Sequence, residues 1–240
     1  MPDRPTPTLV LDFDGTLCLG DDPIHLFADE LSKLVDDHEG AAEVRRRLEA
    51  FLERRERVED AEDGYHALFY LGAPFALPPE EIAAAYLRSR ERMEAGEGRV
   101  YAPDGIVELL DDVRAVGVRV VLVTNAPSVG AVRWLTGVRI AERLDRVIPD
   151  AGKPGRMAEH LSALLAESGA AEEPEYLASV GDVWVNDVEP AMRLGARGFH
   201  IDRYGSGRAP STASAPTFEE LYPAIRAWAQ DPTGVLAPRT

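Results

Sequence analysis

The sequence predicts an α/β fold: a doubly wound, mainly parallel sheet whose chain is interrupted early by an inserted helical block. Three observations carry that expectation. Short, almost continuously apolar runs at Thr8–Leu11, Val118–Val123, Leu177–Val180 and Gly198–Ile201 read as strands buried on both faces. Between the later runs, apolar residues recur at helical spacing, and alternating strands and helices imply right-handed crossovers. Finally, the polar residues best suited to chemistry stand just after strand-like runs: Asp12 and Asp14, Thr124, Lys153, then Asp182 and Asp187. In a parallel sheet such residues gather at one carboxyl-end rim.

The elements follow in order. After the first strand, Ile24, Phe27, Leu31, Leu34 and Val35 predict a helix over 23–35. Val44, Leu48, Phe51 and Leu52 predict a second over 41–58, whose Arg45-Arg46-Arg47 run alternates with Glu43, Glu49, Glu53 and Glu56 as a solvated face. Residues 65–71 continue the block, and Pro78-Pro79 open a further helix bearing Ile82, Tyr86 and Met93. Gly96 and Gly98, with the glycines at 15 and 20, bracket this insert and lend its connections the freedom of a hinge. The expected division is therefore a split core, residues 1–19 and 99–240, around a helical domain, residues 20–98.

In the second core segment, Asp104 is a plausible N-cap for a helix striped by Ile106, Leu109, Leu110 and Val113 and ended by Gly117. Strand 118–123 delivers Thr124 and Asn125, and Ser128 leads into a helix through Leu135. Val147-Ile148 is a short strand before Lys153, and Met157, Leu161, Leu164 and Leu165 stripe the next helix as far as Gly169. Residues 205–217, rich in Gly, Ser, Ala, Thr and Pro, read as a surface loop. Phe218, Leu221, Ile225 and Trp228 predict a closing helix, with residues 231–240 fraying.

Composition narrows the possible functions. The chain has 240 residues, 45% of them hydrophobic, enough for a large core with or without a second domain. Its 26 basic and 42 acidic residues leave a net charge of −16, which repels nucleic acid and anionic membranes. Residues Met1–Pro5 contain no apolar signal region, and no run approaches the roughly 18 apolar residues of a membrane span, so the cytoplasm is the expected location. Cys18 is the single cysteine, and His25, His38, His66, His160 and His200 are scattered without a metal-ligand spacing.

The clustered acids require compensation. Two carboxylates about 4 Å apart repel by roughly 4 kcal/mol at an effective dielectric near 20. A divalent cation supplies that compensation, and oxygen-only ligands with open water positions favour Mg2+ over zinc.

Asp12-Phe13-Asp14-Gly15-Thr16, Thr124-Asn125, Lys153-Pro154 and Gly181-Asp182-Val183-Trp184-Val185-Asn186-Asp187 resemble, in type, order and spacing, the four motifs of the haloacid dehalogenase superfamily of phosphohydrolases. The resemblance implies a Rossmann-like core with an inserted helical cap that closes over the site and carries substrate selectivity. It implies a magnesium-dependent phosphatase acting on a small phosphorylated metabolite through an aspartyl-phosphate. Asp12 is then the nucleophile and Asp14 the general acid and base. Thr124, Asn125 and Lys153 bind the phosphoryl group. Asp12, the backbone carbonyl of Asp14, and Asp182 hold the metal, while Thr16, Asn186 and Asp187 support them, Asp187 by positioning Lys153 or a metal-bound water.

A phosphomutase of the same superfamily uses the same groups, and a receiver-like signalling module, controlled by phosphorylation without turnover, is the alternative from another class. The segment Lys153-Pro154-Gly155-Arg156 departs from the resembling family, where an acid often follows the lysine. Val183-Trp184-Val185 is unusually apolar for the acidic loop, and packing is the expected use of Trp184 and of Cys18.

Overall fold

The computed structural model describes residues 5–234. Six strands form one parallel sheet: β1 (Thr8–Leu11), β2 (Arg119–Val123), β3 (Arg146–Ile148), β4 (Leu177–Gly181), β5 (Arg197–Ile201) and β6 (Ala213–Ala215), in the order β3-β2-β1-β4-β5-β6. The order reverses at β1, which lies between β2 and β4. A crevice at the carboxyl ends there is where doubly wound sheets bind ligands. Strands β1 and β4 are buried throughout, which explains their near-continuous apolar sequences.

Nine α-helices accompany the sheet among the described residues, and the chain divides into two compact units. One comprises the chain as far as Cys18 and from Ala102 onward. Its helices are α5 (Ile106–Ala115), α6 (Ser128–Gly137), α7 (Met157–Glu167), α8 (Glu189–Arg193) and α9 (Phe218–Gln230). Met157, Leu161, Leu164 and Leu165 of α7 and Ala191 of α8 close a core with Val10, Val121, Val123 and Leu177 of the sheet. Helices α5 and α9 pack on one another, α5 also meeting β2 and α9 meeting β5.

The other unit, Leu19–Tyr101, is helical: α1 (Asp22–Ser32), α2 (His38–Leu52), α3 (Gly64–Gly72) and α4 (Pro79–Glu94). Its two ends are tied together, because Leu19 and Tyr101 exchange backbone hydrogen bonds of 2.8 and 3.0 Å. Inside it, Phe27, Tyr65 and Tyr86 form an aromatic cluster. Arg45, Arg46 and Arg47 each pair with an acid, Asp29, Glu43 and Glu56 respectively, so the basic run is internally neutralised.

The structure differs from the sequence expectations in six places. Helix α1 stops at Ser32 instead of reaching Val35, because the N–H groups of Leu34 and Val35 tighten onto the carbonyls three residues back, Leu31 and Ser32. Helix α2 stops at Leu52 instead of reaching Val58: Arg54 takes a left-handed φ of +60°, and the N–H groups of Arg55 and Glu56 turn back to the Ala50 carbonyl. Val44, on the same helix, is half-buried. Asp104 does not cap α5; Gly105, at φ +71°, takes that position, while the Asp104 N–H donates to Glu219. Within the segment expected to be irregular, Ala213–Ala215 adds β6 to the sheet edge, a three-residue Ala-Ser-Ala strand with no apolar run to announce it. Asp231–Gly234 is not frayed, because Arg197 donates to the carbonyls of Pro232 and Gly234. The remainder of the tail expected to fray, 235–240, lies outside the described residues, as does the start of the Met1–Pro5 segment.

Candidate active site

The site begins where β1 runs out. The Asp12 N–H bonds to the Val180 carbonyl at 3.0 Å, extending the β1–β4 ladder by one residue and setting Asp12 at the rim. The chain then turns tightly on the Phe13 carbonyl, which accepts from Leu17 at 2.9 Å and Cys18 at 2.8 Å. Asp14, half-buried, lies in this turn, and Gly15 makes it possible with φ +73°. Thr16 is fully buried; its backbone N–H joins the turn, and its hydroxyl makes no hydrogen bond within the described residues. Cys18 is buried in the same turn.

From β2 the chain delivers Thr124, also buried, whose hydroxyl oxygen accepts from the Ala126 N–H at 3.0 Å. The next residue, Asn125, reaches across to Lys153. Its Oδ1 accepts from the Lys153 N–H at 2.8 Å and its Nδ2 donates to the Lys153 carbonyl at 3.0 Å.

Lys153 is the hub. Its side chain is only 2% exposed, and Nζ donates to Asp12 Oδ1 and to Asp187 Oδ1, both at 2.6 Å. Asp187 reaches this point because a π-helical turn, Trp184–Val188, follows β4 and folds the chain back, the N–H groups of Asn186 and Asp187 both bonding to the Val183 carbonyl. Trp184 is buried beside it, and its indole N–H donates to the Pro210 carbonyl at 3.0 Å. Asn186 is half-buried.

Asp182 completes the arrangement. Ligand atoms of Asp12, Asp182 and Asp187 lie within 4.8 Å of one another, and all three residues are buried. Two glycines make room for them: a Cβ on Gly15 would fall 2.0 Å from Asp182 Oδ2, and one on Gly181 would fall 2.2 Å from Asp187 Oδ2.

The charges are unbalanced. Three carboxylates face one ammonium, in a setting where each pair of acids repels by about 3–4 kcal/mol at an effective dielectric near 20. Burial pushes the Asp12 carboxyl up, against the pull of Lys153 and with help from Asp14. Burial likewise pushes Asp187 up to about 7; Lys153 opposes the rise and the charge of Asp12 adds to it. For Lys153, burial works against the charged form, but attraction to Asp12 and Asp187 outweighs it and holds its pKa above the usual range. A hard divalent cation fits this donor set. The ligands are carboxylate oxygens, the excess charge is negative, and the buried Oδ2 of Asp187 has no hydrogen-bond partner within the described residues.

The structure thus brings Asp12, Asp182, Asp187 and Lys153 into one cluster, with Asp14 on the adjoining turn and Asn125 joined through the Lys153 backbone. What the sequence concealed is the hold of the Asn125 side chain on the Lys153 backbone and the space left by Gly181. An Asn beside a strand-end Thr carries no signal for a partner in the loop after the next strand, whereas a glycine directly before Asp182 hints at a close approach.

Comparison with known proteins agrees with this architecture. Residues 9–188 match the sequence pattern of the haloacid dehalogenase-like hydrolases. The chain belongs to that family. No curated protein matches it in sequence. Among solved structures, it is similar to a HAD phosphatase from Thermococcus onnurineus, with 23% identity and a TM-score of 0.52 over 91% of this chain and 97% of the other. It is similar to the magnesium-bound HAD-hydrolase YfnB from Bacillus subtilis, with 17% identity and a TM-score of 0.59 over 92% and 99%. It is also similar to a 2-haloacid dehalogenase from Pseudomonas syringae, with 18% identity and a TM-score of 0.53 over 92% and 98%. At such identities these likenesses establish the fold alone, and the chemistry has to be argued from the site.

Proposed function

We propose that the chain is a magnesium-dependent phosphatase that hydrolyses a small phosphorylated metabolite through an aspartyl-phosphate. The observation that carries this reading is the Lys153 ammonium held between Asp12 and Asp187, with Asp182 beside them and Asp14 on the next turn of chain.

In this reading the Asp12 carboxylate attacks phosphorus, and the leaving oxygen takes a proton from Asp14. Water then cleaves the aspartyl-phosphate, giving its proton to the Asp14 carboxylate and restoring both acids. Lys153 and the Thr124 hydroxyl offset the charge that spreads over the phosphoryl oxygens, a contribution for which loss of one donor typically lowers turnover about 10²–10³-fold. Asp187 positions Lys153, and Thr16 and Asn186 belong to the supporting loops. The metal would be held by Asp12, Asp182 and the Asp14 carbonyl. When bound, Mg2+ supplies positive charge that keeps the acids ionised and attracts the substrate phosphate.

Asp14 favours phosphoryl transfer over dehalogenation, which has little need of a second acid. The strand order supports an enzyme over a signalling receiver, because the flavodoxin-like receiver order is 2-1-3-4-5. We assign the role of a cap that selects the substrate to the helical unit Leu19–Tyr101; the YfnB structure is described as revealing interdomain movement in that protein. No helix among the described residues is long and apolar enough to cross a membrane. The compartment proposed is the cytoplasm, where charged phosphorylated metabolites are retained. The net charge of −16 argues against nucleic-acid and anionic-membrane partners.

The test is phosphate release from an aryl phosphate with and without Mg2+. Turnover should require the ion and disappear in Asp12→Asn and Asp14→Asn. Activity retained in Asp12→Asn would remove that residue as nucleophile, and a lasting phosphoprotein without turnover would favour the receiver reading.

A further inference from the structure

We propose that Asn125 is a positioning residue for Lys153 and not a ligand of the phosphate; the catalytic consequence rests on the phosphatase reading above. Strand β3 ends at Ile148, whose carbonyl still accepts from the Thr124 N–H at 3.0 Å, because Asp150, the next residue due to face β2, turns to φ +47° and does not bond to the Thr124 carbonyl. Pairing with the β2 loop resumes irregularly. The Ala151 N–H bonds to the Thr124 carbonyl at 3.0 Å and the Asp150 N–H to the Ala126 carbonyl at 3.3 Å, with Asp150 and Gly152 both at positive φ. Lys153 lies beyond the reach of a regular ladder.

Asn125 supplies the missing rung. A side-chain amide has the same donor and acceptor as a peptide, and here it uses one of each on the N–H and the carbonyl of a single residue. Two hydrogen bonds to one residue's backbone fix its orientation as well as its place. The Lys153 ammonium depends on that orientation, because it must meet Asp12 and Asp187 together at 2.6 Å with its side chain almost wholly buried. The Oδ1 atom faces a backbone donor, which leaves it unsuited to an anionic phosphate, and one Nδ2 hydrogen is committed to the Lys153 carbonyl. Asn125 therefore acts through Lys153, and its loss is felt only where the ammonium is present.

The test has two arms. Amide hydrogen exchange, measured without substrate, should show a protected Lys153 N–H that exchanges at least about tenfold faster in Asn125→Ala, while the Ala151 and Thr124 amides keep their protection. Unchanged protection at Lys153 would overturn the proposal whatever the protein's activity. If the chain turns over phosphate esters, Asn125→Ala should lower kcat about 10- to 100-fold with KM moved less, as for other groups that orient catalytic side chains. In single turnover with excess enzyme, the same substitution should add little to Lys153→Ala. An equal loss in both backgrounds would show that Asn125 acts on the substrate directly and overturn the proposal. Asn125→Asp separates folding from positioning: it keeps an acceptor for the Lys153 N–H but sets a carboxylate against the Lys153 carbonyl, so kcat should fall while the melting temperature stays within a few degrees. Wild-type kcat in Asn125→Asp would count against it. Absence of phosphatase activity in the wild type would dispose of the functional reading and leave the exchange arm standing.

Discussion

A Cβ on Gly15 would stand 2.0 Å from Oδ2 of Asp182. The turn after β1 and the loop after β4 therefore meet only because one of them has no side chain at the contact, and Gly15 also needs its φ of +73°.

Substituting Gly15 by Ala should displace Asp182 and strain the turn. Magnesium affinity, measured by calorimetric titration, is expected to fall about 10- to 100-fold. Stability should drop by about 1 kcal/mol or more, from the incompatible backbone. Undiminished Mg2+ binding by the variant would mean that Asp182 is not a ligand or that its position is not set by this contact.

The stability of the metal-free protein should depend on pH through Asp187. Its carboxyl is pushed up to about 7 in the folded chain, against a usual value of 3.8. Between these two values the folded chain binds more proton than the unfolded chain. The stabilising contribution is thus complete below about pH 4 and is lost as pH rises through 7. Asp187→Asn keeps an oxygen to accept from Lys153 and cannot titrate, so urea unfolding from pH 4 to 7 should show a shallower decline than in the wild type. Equal slopes would exclude Asp187 as the source.

In the helical unit the sign is opposite. Glu30 is buried and accepts from Lys33 at 2.5 Å, Arg88 at 3.1 Å and Arg92 at 3.0 Å, joining α1 to α4. The Lys33 hydrogen bond leads in holding its carboxyl down to about 2, against the cost of burial and with help from Arg88 and Arg92. That contribution is present above the usual glutamate value of 4.5 and is lost as pH falls toward 2. Glu30→Gln should destabilise the unit by about 1–3 kcal/mol at pH 7, toward the low end because the cations are partly exposed. The difference from wild type should shrink below about pH 4, and a difference that persists unchanged at acid pH would show that packing, not charge, is responsible.

Much of this was legible in the chain because it rests on local pattern. Runs such as Leu9-Val10-Leu11 and Val120-Val121-Leu122-Val123 are apolar on both faces only where both faces are covered, which identifies central strands. Asp12, Thr124 and Asp182 follow such runs directly, and parallel topology sends them to one rim. Lys153 is harder to place, since four residues, one of them a proline, separate it from Ile148. Strand β6 had no signal at all, because Ala213-Ser214-Ala215 is ordered by the neighbouring β5 and not by its own composition. The end of α2 lacks a local signal for a similar reason: the apolar spacing continues to Val58, but the chain breaks at Arg54 and buries Val58 from a loop.

Hydrophobic period and motif spacing are written residue by residue, and they carry the succession of strands β1 to β5 with their helices, the acids at the carboxyl ends and the family. Tertiary structure alone decided that Lys153 lies between Asp12 and Asp187, that Asn125 holds Lys153 by its backbone, and that Gly15 and Gly181 face the carboxylates of Asp182 and Asp187. These relations span distant parts of the chain and depend on separations of a few ångströms. Such separations are set by how the strands register and how the loops pack, neither of which any single segment encodes.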